Sequence, residues 1–491
     1  MEKPPLAQTA SQRKFWERLQ PFNRPAASDT YKRNMSASSD LFADNFACYA
    51  LAARKPLNEE DANGRLIMAG LEKLLYPWFL NPVTKDEVEE AAEFFTNHAS
   101  VLKFPAKAWQ AVLDNGGYFP LDIYSLPGGQ TFLVKDGKHV PMISVEGPGA
   151  LASHLEAHLE TAFAPIIQAT KARLFREVVG DRFGEFGLRS DQLINNHATL
   201  MMALYVGGGF TYTSDDQAVM LFPEYFKDMG TIGHEYIMAY QKKGRTLEEA
   251  QDMAYDVFVS QNERSALLPD VVDTMKSGLP AILRQIQKYR GTGKIIIPRF
   301  DSGNISAQDI AWARMLAAAE PSHNNSDHVV EDGFNPKKSK DVKGKYAAAG
   351  LNPNDVTVGA GGYFQEGTLR DTLSLVYKRS ATMHEGGLEQ SLKFSDSPGK
   401  ESIPGQIRVY ERGTTLIVAQ DGEEIDGAML MHKVVDNGRI VYAEDLRLQN
   451  QRANETWNKY DKIEYSPITQ AIIDARTQEK QALQETVRQR K

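Results

Sequence analysis

An α/β fold built around a parallel barrel or a doubly wound sheet is what this 491-residue sequence predicts, and three observations predict it. Lys294-Ile295-Ile296-Ile297 is a continuous apolar run rich in β-branched residues, the pattern of a strand buried on both faces of a parallel sheet. Val329-Val330, then Asn335 as N-cap, Pro336 as first helical residue, Gly350 as stop and Val356-Thr357-Val358 spell a βαβ crossover. Strands and helices alternate through the middle of the chain, which places function at the C-terminal ends of the strands.

The other elements follow in order. Apolar residues recur at helical spacing from Leu66 to about Phe104, and Val140 to Val145 predicts a strand ending at Glu146-Gly147-Pro148. A long amphipathic helical stretch is expected over Leu151 to Arg176. After it come a short strand carrying Phe186 and Arg189, and a helix running into Gly207-Gly208-Gly209. Lys337, Lys338, Lys340, Lys343 and Lys345 read as the solvated face of the crossover helix rather than as a nucleic-acid patch. From Ile407 the pattern changes to an antiparallel ribbon, with Gln420-Asp421-Gly422 and Asp436-Asn437-Gly438 as turns. Ser466-Pro467 opens a terminal helix with a charged end.

Composition narrows the class. An apolar content of 42% suits a globular core, and 491 residues suffice for two domains or one large body with a smaller lobe. A formal charge of -8 argues against nucleic acid as a partner, because that needs basic faces. The single cysteine, Cys48, excludes an internal disulfide and suits a reducing compartment. The start has no apolar leader and no run approaches a membrane span, so a soluble cytoplasmic protein is expected.

Several residues are suited to chemistry on phosphates and sugars. The turn Val358-Gly359-Ala360-Gly361-Gly362 lets backbone N–H groups approach phosphate oxygens, with Gly361 and Gly362 at its end. Arg54, Lys55, Arg370, Lys378, Lys393 and Lys400 can supply charge-assisted bonds to the same phosphates, although each taken singly reads better as surface charge. Asp301 and Asp332 follow strands and precede Gly303 and Gly333, a setting in which a carboxylate holds ribose hydroxyls or Mg2+. His234, directly before Glu235, is a candidate nucleophile or general base. His154 and His158 have the i, i+4 spacing of a helical metal site. With no third ligand close in sequence, they read as a helix-surface pair.

Ordered segments then point to one family. Asp29-Thr30-Tyr31-Lys32-Arg33-Asn34-Met35, Ala53-Arg54-Lys55-Pro56 and Phe183-Gly184-Glu185-Phe186-Gly187-Leu188-Arg189 come first. Thr213-Ser214, Gly230-Thr231-Ile232-Gly233-His234-Glu235, Arg299-Phe300-Asp301-Ser302-Gly303-Asn304 and Lys393 to Lys400 follow. Together they resemble the nicotinate phosphoribosyltransferase family, from roughly Asp29 to Lys400.

The resemblance implies an irregular α/β barrel of the type II phosphoribosyltransferase kind, with an α/β sandwich domain made from N- and C-terminal segments. Residues 1–150 would form the N-terminal sandwich part, 151–390 the barrel with the active site, and 391–491 the ribbon and terminal helix. It implies transfer of phosphoribose from phosphoribosyl pyrophosphate to nicotinate in NAD salvage, with ATP and Mg2+, in a homodimer whose Tyr31 enters the neighbouring subunit's site. His234 matches the histidine that the family phosphorylates. Tyr31 and Phe186 would sandwich the ring, Arg189 or Arg299 would pair the carboxylate, and Thr213 and Ser214 would line the pocket. Four positions depart from the family pattern: Ser190, Asp215, Asn304 and Glu331-Asp332-Gly333. The last is closer to nicotinamide phosphoribosyltransferase, the alternative reading, whereas the neutral Ser214 favours the acid. A quinolinate-using relative ranks third, and a catalytically idle nucleotide-binding regulator of the same fold ranks lower still.

Overall fold

The computed structural model describes residues 22–58, 62–98, 104–191, 196–229, 231–320, 327–392 and 402–489. Its centre is a parallel sheet of seven strands: β1 (Phe183–Glu185), β2 (Tyr212–Thr213), β3 (Lys227–Asp228), β4 (Arg264–Leu267), β5 (Ile295–Phe300), β6 (His328–Val330) and β7 (Val356–Ala360). They lie in the order β4-β5-β6-β7-β1-β2-β3, every neighbouring pair parallel. An isolated parallel bridge from Thr231 to Ala266 brings the chain beyond β3 back against β4. The sheet therefore curls into an irregular barrel.

Apolar β-branched residues build this sheet because both faces are covered: Ile296, Ile297, Val329, Val330, Val356 and Val358 are all buried. Phe175 from the preceding helix packs edge-on to Phe183, and Phe183 also meets Phe210 and Phe364, so an aromatic nest anchors β1. The crossover between β6 and β7 forms as its caps dictate. The Asn335 side chain accepts from Lys338 N at 2.9 Å, and Pro336 opens a helix that runs to Ala348. Gly350 then turns the chain at φ +79°.

The sandwich sheet is antiparallel and draws on both ends of the chain. Its order is Gly387–Gln390, Val376–His384, Phe46–Ala52, Pro141–Pro148, Asp122–Ser125, His432–Asp436 and Arg439–Ile440. Val376–His384, directly after the barrel, thus pairs with the N-terminal strand Phe46–Ala52, and Gly387–Gln390 pairs with Val376–His384, so neither joins the parallel sheet. One core contains Leu51, Ile143 and Val145 together with Val409, Val418 and Val435.

Local expectations are revised at four places. Leu66 lies in the strand Arg65–Ile67, paired with Thr131–Lys135, before the helices Leu71–Phe79 and Lys85–His98 begin. The stretch from Leu151 is three helices, Gly149–His154, Glu156–Glu160 and Phe163–Val179. Pro165 explains the second break: it lacks an N–H, and its ring would strike the carbonyl four residues back, at Thr161. His154 and His158 consequently sit on different helices, and neither is a surface residue of one helix. His154 is buried, bonded to Arg24 O at 2.9 Å and packed edge-on to Trp78 and Trp109, while His158 bonds Leu74 O at 2.7 Å. Lastly, Ile407–Arg412 and Thr415–Gln420 form a hairpin with a further turn at Gly413, the expected Gln420-Asp421-Gly422 turn closes with Glu423 N donating to Gln420 O, and Thr415–Gln420 then pairs in parallel with Lys462–Tyr465. The Asn437-Gly438 turn forms as expected, both residues at positive φ. Ser466 caps the terminal helix Pro467–Gln489 by accepting from Thr469 N. No described helix is long and apolar enough to cross a membrane.

Candidate active site

A cleft of about 790 Å³ opens at the C-terminal ends of the barrel strands. Phe186 and Arg189 follow β1, Ser214 follows β2, and Thr231 to Glu235 follow β3. Arg299 is the penultimate residue of β5 with Asp301 just beyond the strand, Glu331 to Gly333 follow β6, and Gly359 and Ala360 end β7 with Gly361 and Gly362 directly after it. Ligands of parallel α/β sheets bind at this end, where loops from separate strands converge.

Close backbone approach shapes the cleft. A Cβ on Gly359 would stand 2.9 Å from the Phe186 ring, and one on Gly361 would stand 2.1 Å from Gly187 Cα. Both positions need glycine, so the turn predicted to cradle phosphate also forms the bed of the aromatic ring. The Arg299 guanidinium lies 5.6 Å from the Phe186 ring centroid. Its Nε meets Glu331 Oε1 at 2.8 Å, and its Nη1 donates to Thr231 Oγ1 and to Ile232 O at 3.2 Å. Among the described residues nothing accepts from Nη2. The Glu331 carboxyl is pushed up to about 7, first by burial; Arg299 pulls against this and the neighbouring Asp301 adds to it.

His234 is held by two residues that the sequence reading did not single out. Its Nε2 is 2.9 Å from Asp270 Oδ1, and Asp270 Oδ2 accepts from Ser302 Oγ at 2.6 Å. A carboxylate on one ring nitrogen orients the imidazole and makes the other a better nucleophile, which leaves Nδ1 for transfer chemistry. Asp270 lies three residues beyond β4, as Asp301 lies just beyond β5. That shared post-strand position was the available signal, and Ser302 sat inside a segment already marked. Glu235 is exposed on the same rim.

Other expected residues lie elsewhere. Thr213 is fully buried and outside the cleft wall; its hydroxyl donates to Glu185 Oε2 at 3.0 Å. Asp215 caps the helix Asp216–Leu221 through Gln217 N. Tyr31, Arg370 and Lys378 are away from the cleft, in a cluster around Glu156 and Glu160. Tyr31 Oη donates to Glu156 at 3.4 Å, Lys378 pairs with Glu156 at 2.9 Å beside Lys32, and Arg370 lies 3.4 Å from Glu160. Arg54 and Lys55 both anchor their main-chain N–H on Leu373 O. The Arg54 side chain lies near His139, whose pKa is held down to about 4, first by burial and then by that charge. Lys393 and Lys400 lie outside the described residues.

For a cation, Asp301 and Asp332 stand at the ends of adjacent strands and both face the cleft. Asp332 adopts φ +85°, a backbone conformation a non-glycine residue holds only at some cost. Among the described residues no group of three or more potential ligands gathers for a metal. Two hard oxygen donors with room for substrate phosphates is the usual arrangement for Mg2+, so the residues fit that ion.

No family model matches the chain. It is 25% identical over 433 residues to the nicotinate phosphoribosyltransferase of Bacillus subtilis (strain 168), an alignment covering 84% of this chain and 78% of that one. The chain is a relative of the nicotinate phosphoribosyltransferases. Solved structures agree on the fold of this relative. The human nicotinic acid phosphoribosyltransferase superposes with a TM-score of 0.66 at 16% identity, over 91% of this chain and 99% of that chain. The nicotinate-nucleotide pyrophosphorylase from Pyrococcus furiosus gives 0.60 at 16% identity, over 88% and 95%.

Proposed function

We propose that the chain joins nicotinate to phosphoribosyl pyrophosphate, giving nicotinate mononucleotide and pyrophosphate, with ATP hydrolysis coupled through His234. One observation carries this reading. An aromatic platform, two arginines, two aspartates and a carboxylate-held histidine converge on a single cleft from the ends of different barrel strands. The name of the Bacillus subtilis relative supports the acid as substrate, as does the neutral hydroxyl of Ser214.

The pyridine ring would lie on Phe186, a stack worth about 0.5–1.5 kcal/mol beyond burial. Its carboxylate would meet Arg189 and the Nη2 of Arg299. The ring nitrogen attacks the anomeric carbon while the bond to pyrophosphate breaks, the electron pair leaving with pyrophosphate. The sugar passes through an oxocarbenium-like state, so positioning and charge stabilisation do most of the work. Asp301 and Asp332 would hold Mg2+, which when bound neutralises the diphosphate. His234 Nδ1 would attack the γ-phosphorus of ATP as the bond to ADP breaks, and water would later take the phosphoryl group from it as inorganic phosphate.

Tyr31, Lys32, Arg370 and Lys378 gather outside their own chain's cleft, which supports a homodimer in which one chain's cluster completes the other's site. A buried, unpaired Cys48 goes with a reducing, cytoplasmic setting.

One observation favours nicotinamide instead. Glu331 already occupies Arg299, and its carboxylate can accept from a carboxamide N–H. A two-substrate assay with and without ATP decides. Preference for nicotinate, with turnover raised by ATP, supports the proposal. Preference for nicotinamide selects the second reading, and mononucleotide from neither sinks both.

A further inference from the structure

Beneath the cleft lies a buried charge cluster that the proposed chemistry does not use. Glu185 and His197 are fully buried, and Asp191 nearly so. Glu185 accepts from Gly187 N, from His197 Nε2 at 3.0 Å and from Thr213 Oγ1 at 3.0 Å, while its main-chain oxygen accepts from Ser214 N at 2.9 Å. On its other side His197 Nδ1 lies 3.3 Å from Asp191 Oδ2, an ion-pair contact. Burial opposes protonation of the ring, but the hydrogen bond and charge of Glu185, with Asp215 and Asp191, outweigh it and raise its pKa.

A histidine clamped between carboxylates in a dry interior is a poor way to gain stability, because desolvation consumes most of the attraction and an apolar side chain would pack as well. What the cluster does supply is position. Gly187 belongs to the Phe186–Arg189 turn, Asp191 lies two residues beyond Arg189, and Thr213 precedes Ser214 on the facing wall. Two segments of the cleft are thus tied to one buried carboxylate, with Asp191 joined to it through His197, and none of the tying side chains lines the cleft itself.

We propose that Glu185 and His197 are positioning residues for the pyridine substrate, holding the Phe186–Arg189 turn and the Ser214 wall at a fixed spacing. This rests on the reading of the cleft as a pyridine site. Wild-type turnover of nicotinate or nicotinamide tests that reading first and separately; absence of both overturns the reading and this proposal together.

With turnover present, His197→Leu, His197→Gln and Asp191→Asn are compared by KM for the pyridine, KM for phosphoribosyl pyrophosphate, kcat and Tm. His197→Leu should raise the pyridine KM about tenfold or more, with the phosphoribosyl pyrophosphate KM within about twofold of wild type. His197→Gln, whose amide N–H still donates to Glu185, should recover most of the loss. Asp191→Asn, which removes a charge and leaves Glu185 paired, should fall between. Both KM values rising together in step with a falling Tm, or glutamine no better than leucine, would overturn it. Should the leucine variant fail to fold, a selective rise of the pyridine KM in Asp191→Asn, with His197→Gln closer to wild type, still supports positioning, and no such rise in Asp191→Asn refutes it.

Discussion

His234 presents one nitrogen to Asp270, and Asp270 in turn takes a hydroxyl from Ser302. Asp270→Asn keeps the shape of that contact but removes the charge that fixes the imidazole, so ATP hydrolysis dependent on nicotinate should fall about ten- to a hundredfold. His234→Ala should abolish it with little change in Tm, because the ring is partly exposed and contributes little packing. Coupled hydrolysis surviving in the alanine variant would remove His234 from this role. A second side chain decides between acid and amide. Glu331 holds Arg299 at 2.8 Å, so Glu331→Gln should free the guanidinium for a substrate carboxylate. Loss of that competing charge is worth roughly 1.5–3 kcal/mol, or about ten- to a hundredfold in kcat/KM for nicotinate over nicotinamide. Ser214→Asp should act the opposite way, repelling the acid and accepting from the amide N–H. Unchanged preference in both variants would show that neither residue touches the substrate's polar group.

The short helices before the barrel carry a pH dependence of their own. His154, edge-on to Trp78 and Trp109, has its pKa lowered to about 4 by burial, against the Arg24 carbonyl that favours protonation. A base with a depressed folded-state pKa is kept neutral by the fold. Its contribution is therefore complete above the unfolded value near 6.5 and is lost as pH falls toward 4. At 1.36 kcal/mol per pKa unit the total is about 3 kcal/mol, so urea unfolding should show lower stability at pH 5 than at pH 7. His154→Gln should lose a part of that difference, since His139 and His158, also held down by burial, supply the rest; an equal drop in the variant would place the titration wholly elsewhere. These helices also show where sequence stops being legible. The β6–β7 crossover could be read residue by residue because Asn335, Pro336 and Gly350 act locally. The strand Arg65–Ile67 could not, since its partner Thr131–Lys135 lies some sixty residues on. The candidate site divides the same way. Residues in short ordered segments were visible, whereas Asp270 and the Glu185–His197 pair owe their place to contacts between separate strands and helices. Nothing in the segment of Thr213 reveals that Glu185 claims its hydroxyl and draws it off the wall.

At the scale of the molecule, the cleft on the barrel and the Tyr31–Lys378–Arg370 cluster on the sandwich are two halves that one chain keeps apart. If a dimer joins them, a Tyr31→Ala chain and an Arg299→Ala chain, each inactive alone, should regain activity on mixing. Random exchange makes about half of the dimers mixed, each with one intact site of two, so about a quarter of wild-type activity is expected. No recovery after proven subunit exchange would argue for a site complete within one chain. The barrel itself is laced unevenly. From β4 round to β1 the strands share backbone ladders, but β1 and β2 share a single register pair, Glu185 with Thr213, and the final join is one bridge at Thr231. On that thin arc side chains rivet the hoop: Glu185 to Thr213, and Arg299 to Thr231 and Ile232. A ligand that takes the Nη2 of Arg299 from within the cleft therefore grips the side chain whose Nη1 shuts the barrel, so a filled site should hold its loosest seam closed.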